Sequence, residues 1–150
     1  MRVALDTNIL AYAEGVNDDV RKQAAIGLIR GLPPDAVVLP AQVIAELFQV
    51  LLRKARFTAA DARAAIVSWC NYFPIVETSQ SVLLGAAEIA ATHHLSFWDG
   101  LVLASAADSG CSLLLSEDLQ HEFTWTTVTV ANPFASPRHP LLENLLGGQP

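Results

Sequence analysis

The sequence predicts an α/β fold in which a mainly parallel sheet is flanked by helices on both faces. Two observations support this prediction. Short apolar segments recur along the chain, and stretches whose apolar residues have helical spacing separate them. Because short apolar strands that alternate with helices usually pair in parallel and are covered on both faces, the alternation favours a layered sheet.

The first elements follow this alternation. Residues 2–6 read as a strand, and a short helix at 8–12 follows it. Asp18 or Asp19 caps a helix that continues to about Arg30, where a glycine and two prolines end it. The next two elements are an apolar strand at 36–39 and a helix at 41–54, in which apolar residues recur every three or four positions.

The later elements complete the predicted sheet. Thr58 and Asp61 have the spacing of a capping box, which opens a helix that runs to about residue 71. The remaining strands are predicted at 74–76, 113–115 and 128–130, and the remaining helices at 79–93 and 97–108.

Composition limits the class of protein. The chain has 150 residues, of which 52% are hydrophobic, so we expect one compact domain. The sequence contains no long apolar run that would span a membrane, and because Met1-Arg2 leads directly into a predicted strand, we expect no signal peptide. Cys70 and Cys111 lack metal-site spacing. A disulfide between them is one alternative, but two buried thiols in a cytoplasmic protein are the preferred interpretation.

Charge is unevenly distributed along the chain. The net charge of −6 argues against a broad nucleic-acid-binding face, but residues 1–75 carry a net +1 and residues 76–150 a net −7. The cluster of Arg53, Lys54 and Arg56, together with Arg63, is the basic patch that a phosphodiester backbone could use. Alternatively, the first two of these residues complement the dipole at a helix end, and both roles are compatible.

Two acidic residues directly follow apolar strands. Asp6 comes after Val3-Ala4-Leu5, and Asp118 follows Leu113–Leu115 in Ser116-Glu117-Asp118. Open α/β sheets bind ligands at the carboxyl ends of their strands, so neighbouring strands would bring these two acids together. A divalent cation would offset their charge, although Asp6 could also act only as a helix cap.

Two further acids have an ambiguous local pattern. Glu46 lies opposite the apolar face of its helix, so periodicity alone predicts a solvated side chain. Asp99 lies in Ser96-Phe97-Trp98-Asp99, which has the spacing of a capping box at the start of an apolar helix. We find no nucleophile elbow, glycine-rich phosphate loop or Cys/His zinc spacing that would point to another chemistry.

Taken in order, these motifs resemble the PIN-domain family, and within it the VapC-type ribonuclease toxins of bacterial toxin–antitoxin pairs. The resemblance covers residues 1–134 and implies a three-layer α/β/α sandwich. It rests on five segments, namely Val-Ala-Leu-Asp-Thr-Asn at 3–8, the helix bearing Glu46, Leu-Ser-Phe-Trp-Asp at 95–99, Leu-Leu-Ser-Glu-Asp-Leu-Gln at 114–120 and Val-Ala-Asn-Pro-Phe at 130–134.

The resemblance implies a metal-dependent endoribonuclease. In such proteins, a set of acids binds Mg²⁺ or Mn²⁺ for RNA cleavage. The matching residues in this chain are Asp6, Glu46, Asp99 and Asp118. Asn8 and Ser116 match positions that support the metal site through hydrogen bonds. Glu117 is expected to face solvent, or else to support the site from behind the metal-binding acids.

The resemblance also implies partners. An RNA substrate, a cognate antitoxin and a second copy of the chain in a homodimer are expected, and a membrane is not. Two alternatives stay open: a PIN nuclease that processes RNA outside a toxin–antitoxin pair, and a non-catalytic binding module with the same fold. Residues 135–150 form an extension that could pack on the domain, on a second subunit or on a partner.

Overall fold

The computed structural model describes residues 1–147 and contains a six-stranded sheet between layers of helices. The strand order is β3-β2-β1-β4-β6-β5, and every pairing is parallel except the one between β5 and β6. This architecture confirms the predicted fold class. The strands are β1 (Val3–Leu5), β2 (Val37–Pro40), β3 (Ile75–Val76), β4 (Leu113–Leu115), β5 (Thr124–Trp125) and β6 (Val128–Ala131).

Within residues 1–147, seven α-helices and one short 3₁₀ turn at Pro34–Ala36 accompany these strands. Side chains of Asp18, Thr58, Ser79 and Ser96 accept backbone hydrogen bonds at the starts of four helices, which explains why those helices begin where they do. The helices are α1 (Thr7–Ala13), α2 (Asp19–Gly31), α3 (Ala41–Lys54), α4 (Ala59–Tyr72), α5 (Gln80–His93), α6 (Phe97–Asp108) and α7 (Pro140–Gly147).

The centre of the sheet brings two strand ends together. Every residue of β1 and β4 is buried, and the register pairs Leu5 with Leu115. The backbone N–H of Asp6 continues this pairing by donating to the Leu115 carbonyl at 2.9 Å. Because the two strands are parallel, Asp6 and Ser116 both leave the sheet at its carboxyl edge.

Two features differ from the sequence-based expectations. Strand β5 was not predicted, because two residues beginning with an exposed threonine carry no periodic signal. Cys111 is buried as expected, but the expectation of a buried Cys70 is wrong, because this thiol lies beside the packed stripe of α4 and is exposed. Both cysteines are free.

The C-terminal segment contributes to the core. Leu142 and Leu145 of α7 are buried, and a Cβ added at Gly31 of α2 would lie 3.1 Å from a methyl group of Leu146. Residues 148–150 of the predicted extension lie outside the described residues. Among residues 1–147, no helix has the length and apolar character that crossing a membrane requires.

Candidate active site

Asp6 is a buried carboxylate at the carboxyl edge of the sheet. The residue is 6% exposed, and its side chain caps α1 by accepting the Thr7 N–H at 2.8 Å and also accepts the Ser116 hydroxyl at 2.7 Å. Burial raises the pKa of Asp6 from 3.8 to about 6, although both hydrogen bonds lower it. The nearby charges of Glu46 and Asp118 also contribute to this rise in the pKa of Asp6, so these three acids interact electrostatically.

Glu46 is held by two donors. Its carboxylate accepts the Thr7 hydroxyl at 2.7 Å and the Gln42 side-chain amide at 2.9 Å, so each oxygen has one partner. The side chain is half-buried, which differs from the solvated position that periodicity alone predicts. Sequence reasoning did not single out Thr7 or Gln42. The position of Gln42 one helical turn before Glu46 was the available signal.

Ser116 organises the turn after β4. While its hydroxyl donates to Asp6, its oxygen accepts the backbone N–H groups of Asp118 at 3.2 Å and Leu119 at 3.1 Å. Ser116 therefore links the two acidic strand ends, and this turn leaves the Asp118 side chain exposed.

Asn8 and Glu117 lie next to this turn. The Asn8 side-chain oxygen accepts the Glu117 N–H at 3.5 Å, while its buried Nδ2 has no hydrogen-bond partner among the described residues. Glu117 does not point freely into solvent, because its carboxylate accepts the Tyr12 hydroxyl at 2.9 Å. The solvent-facing expectation for Glu117 therefore differs from the structure.

Asp99 lies at the start of α6, away from the hydrogen bonds that join the other acids. Its backbone N–H donates to the Ser96 hydroxyl at 3.0 Å, which is one half of a capping box. Within residues 1–147, its carboxylate makes no hydrogen bond, so the carboxylate of this half-buried residue does not take part in capping. The aromatic side chains of Phe97 and Trp98 beside it are partly exposed and pack edge to face.

A cleft of about 210 Å³ lies beside the acidic residues. Glu46 and Asp118 line it, together with Asn8, and Lys54 is the one basic residue on its wall. The other residues of the predicted basic patch, Arg53, Arg56 and Arg63, are exposed but do not line this cleft. The remaining wall consists of Thr7, Ala11, Tyr12, Val16, Asn17 and Val50.

The acids do not form a closed ligand cage. Among residues 1–147, no group of three His, Cys, Asp or Glu side chains is arranged to hold a metal ion by itself. Like charges repel, and the raised pKa of Asp6 records part of that repulsion after the larger effect of burial. The arrangement is therefore an acidic cleft with separated oxygen donors.

The family model for the PIN domain matches residues 3–123. The chain belongs to the PIN-domain family. The matched segment includes all four acids of the sequence-based hypothesis, together with the strand order that brings Asp6 beside Ser116. No curated protein matches the sequence significantly.

Solved structures with the same fold include several toxin–antitoxin proteins. The VapC20 toxin of Mycobacterium tuberculosis, which cleaves the sarcin–ricin loop, is 22% identical with a TM-score of 0.64, over 77% of this chain and 89% of its own. A toxin–antitoxin complex from Klebsiella pneumoniae is 17% identical with a TM-score of 0.65, over 85% and 95%. FitAcB from Neisseria gonorrhoeae is 19% identical with a TM-score of 0.62, over 88% and 98%. At these identities, the likeness shows a shared fold.

Proposed function

We propose that this PIN-domain protein is a metal-dependent endoribonuclease and acts as the toxin of a toxin–antitoxin pair. The observation that carries the proposal is the proximity of the buried Asp6 carboxylate to Glu46 and Asp118, which both line one cleft beside the carboxyl edge of the sheet. Membership of the PIN family and the toxin neighbours support it. We include the fourth acid, Asp99, in the proposed site for two reasons. Its motif resembles that of the family, and only its backbone N–H, not its carboxylate, takes part in the helix cap.

The donor set fits Mg²⁺ or Mn²⁺. Mg²⁺ usually binds through one or two carboxylates and completes its shell with waters and substrate phosphates, so a closed cage of protein ligands is unnecessary. Asp6, Glu46, Asp99 and Asp118 would supply the carboxylate oxygens, and hard oxygen donors suit these ions better than copper or zinc. A bound cation would also offset the repulsion that raises the pKa of Asp6.

The chain's own residues would orient this chemistry. When bound, the divalent ion would activate a water molecule and stabilise the leaving oxygen of an RNA phosphodiester. Ser116 and the Thr7 N–H fix both oxygens of Asp6, while the Thr7 hydroxyl and Gln42 fix both oxygens of Glu46. Lys54 supplies positive charge on the cleft wall, where an RNA backbone would pass, and Arg53 and Arg56 extend that charge along the surface.

The toxin assignment brings further proposals. A cognate antitoxin would bind the protein, since solved structures with this fold include toxin–antitoxin complexes. The protein would form a homodimer and work in the cytoplasm, where its RNA substrate is found. Residues 1–134 would be the PIN domain and residues 135–150 an extension of it.

The proposal is tested by incubating purified protein and RNA with Mg²⁺ or Mn²⁺. Wild type should cut the RNA, while Asp6→Asn and Asp99→Asn should each reduce cutting at least a hundredfold, because each removes a proposed metal ligand. Asp61→Asn is the matched control, because the Asp61 N–H also donates to a capping hydroxyl, that of Thr58, at the exposed start of α4. Asp61→Asn should cut like wild type.

Two further experiments complete the test, one that removes the metal and one that examines RNA from cells. EDTA should stop cutting, and added Mg²⁺ or Mn²⁺ should restore it. Sequencing of RNA 5′ ends after induced expression would identify the target. If wild type and Asp6→Asn leave RNA equally intact, the nuclease assignment fails and a non-catalytic module becomes the better interpretation.

A further inference from the structure

An arginine that the proposed reaction does not use lies beside the acidic cleft. The guanidinium carbon of Arg21 in α2 is 5.5 Å from the centre of the Tyr12 ring, which is within cation–π range. Tyr12 lines the cleft and donates its hydroxyl to Glu117, the neighbour of Asp118. Arg21 therefore lies next to a residue of the cleft wall, on the side where the turn after β4 carries its acids.

Charge effects on Tyr12 agree with this placement. Burial and the hydrogen-bonded Glu117 carboxylate raise the pKa of Tyr12, the charge of Arg21 lowers it, and the charge of Asp118 raises it further. Both the arginine and the proposed metal-binding aspartate are therefore close enough to influence the same hydroxyl.

The hydrogen-bonding groups of Arg21 are largely unused. Its guanidinium approaches carboxylate oxygens of Asp18 and Glu117, each at 3.8 Å, and both distances are too long for a hydrogen bond. Its side chain is 46% exposed, and its guanidinium makes no hydrogen bond to the described residues. Exposed pairs of this kind contribute little to stability, which leaves the position of this cation without a strong structural explanation.

We propose that Arg21 binds a phosphate group of the RNA strand that occupies the acidic cleft. This inference rests on the proposed ribonuclease function and adds a binding residue to it. A guanidinium presents paired N–H donors that match two phosphate oxygens, and the Tyr12 ring lies within cation–π distance of it. Lys54 of α3 lines the cleft, and Arg21 of α2 lies against Tyr12, which also lines it, so the two cations would hold the strand over the acids from two helices.

The test compares Arg21→Gln with Arg30→Gln, which removes the same charge from an exposed position on the same helix. Both changes are made in Asp6→Asn protein with Mg²⁺, so that the RNA is not consumed. Fluorescence anisotropy with a labelled single-stranded RNA of mixed sequence gives the affinity at several salt concentrations. We expect Arg21→Gln to weaken binding about fivefold to tenfold and to lower the salt slope by about 0.7, with Arg30→Gln unchanged.

Two more variants separate phosphate binding from a structural ion pair. Arg21→Lys keeps the charge, so it should keep the salt slope while losing part of the affinity. Glu117→Gln removes a neighbouring negative charge and should strengthen RNA binding. If Glu117→Gln weakens binding as much as Arg21→Gln does, the arginine acts through its carboxylate partner and the proposal is wrong.

Folding and function are checked separately. Thermal melting identifies any variant that has lost its fold. Measuring the RNA affinities of Arg21→Gln and Arg30→Gln again in EDTA, with Asp6 intact, shows whether the result depends on the Asp6→Asn background. Equal RNA affinity of Arg21→Gln and Arg30→Gln would overturn the role of Arg21 alone. Failure of wild type to cut RNA would instead overturn the ribonuclease function, so the two failures are distinguishable.

Discussion

At the scale of single residues, burying the ionised Asp6 carboxylate costs free energy, and two hydrogen bonds offset only part of that cost. The carboxylate lies under the surface with two acids nearby, and its donors are a neutral hydroxyl and a backbone N–H. Raising a pKa from 3.8 to about 6 corresponds to about 3 kcal/mol of lost stability when the group is ionised. Such a cost is typical of sites where charge serves binding or catalysis.

We predict that this cost makes metal-free stability depend on pH. Because the folded protein holds the Asp6 proton more tightly than the unfolded chain, the stabilising contribution is complete below pH 3.8 and is lost as pH rises through about 6. Urea denaturation in EDTA should therefore show wild type losing stability relative to Asp6→Asn between about pH 4 and pH 7. A difference between the two proteins that stays constant with pH would contradict the prediction.

At the scale of elements, the sequence was informative wherever caps and periodicity agreed. The starts of α4, α5 and α6 follow from Thr58, Ser79 and Ser96, whose hydroxyls accept a backbone N–H three residues later. Strand β5 carried no such signal. Helical periodicity also failed for Glu46, because a polar face turned towards a cleft has the same pattern as one turned towards solvent.

The close packing of α5 and α6 leads to a prediction about Gly100. A Cβ at this position would lie 2.9 Å from the Ala86 carbonyl oxygen, and a backbone atom cannot move aside cheaply. Gly100→Ala should therefore destabilise the protein by about 1–3 kcal/mol in denaturant unfolding. Gly27→Ala is the matched control, because nothing lies within 4 Å and alanine favours a helix by about 0.5–1 kcal/mol. Equal stabilities of the two variants would show that the helices do not approach so closely.

At the scale of the whole molecule, the candidate site depends on topology. Asp6 and Asp118 are distant in sequence, and they meet because β1 and β4 are adjacent and parallel, an order that local patterns alone do not specify. The ordered motifs made their meeting predictable, because they resemble a family with a known fold. The position of α7 had no such guide, since the amphipathic segment at 140–147 suits a domain, a second subunit or a partner equally well.

We predict that α7 is an integral part of the folded domain. Leu142 is fully buried in the same core as the sheet, so Leu142→Ala should cost about 2–5 kcal/mol and leave a single unfolding transition. Asn144→Ala is the matched control, because Asn144 lies on the exposed face of the same helix and its replacement should change stability by less than about 0.5 kcal/mol. Denaturant unfolding of both variants measures the difference. If the two variants are equally stable, α7 does not remain packed on the domain in solution and residues 135–147 are free to serve a partner.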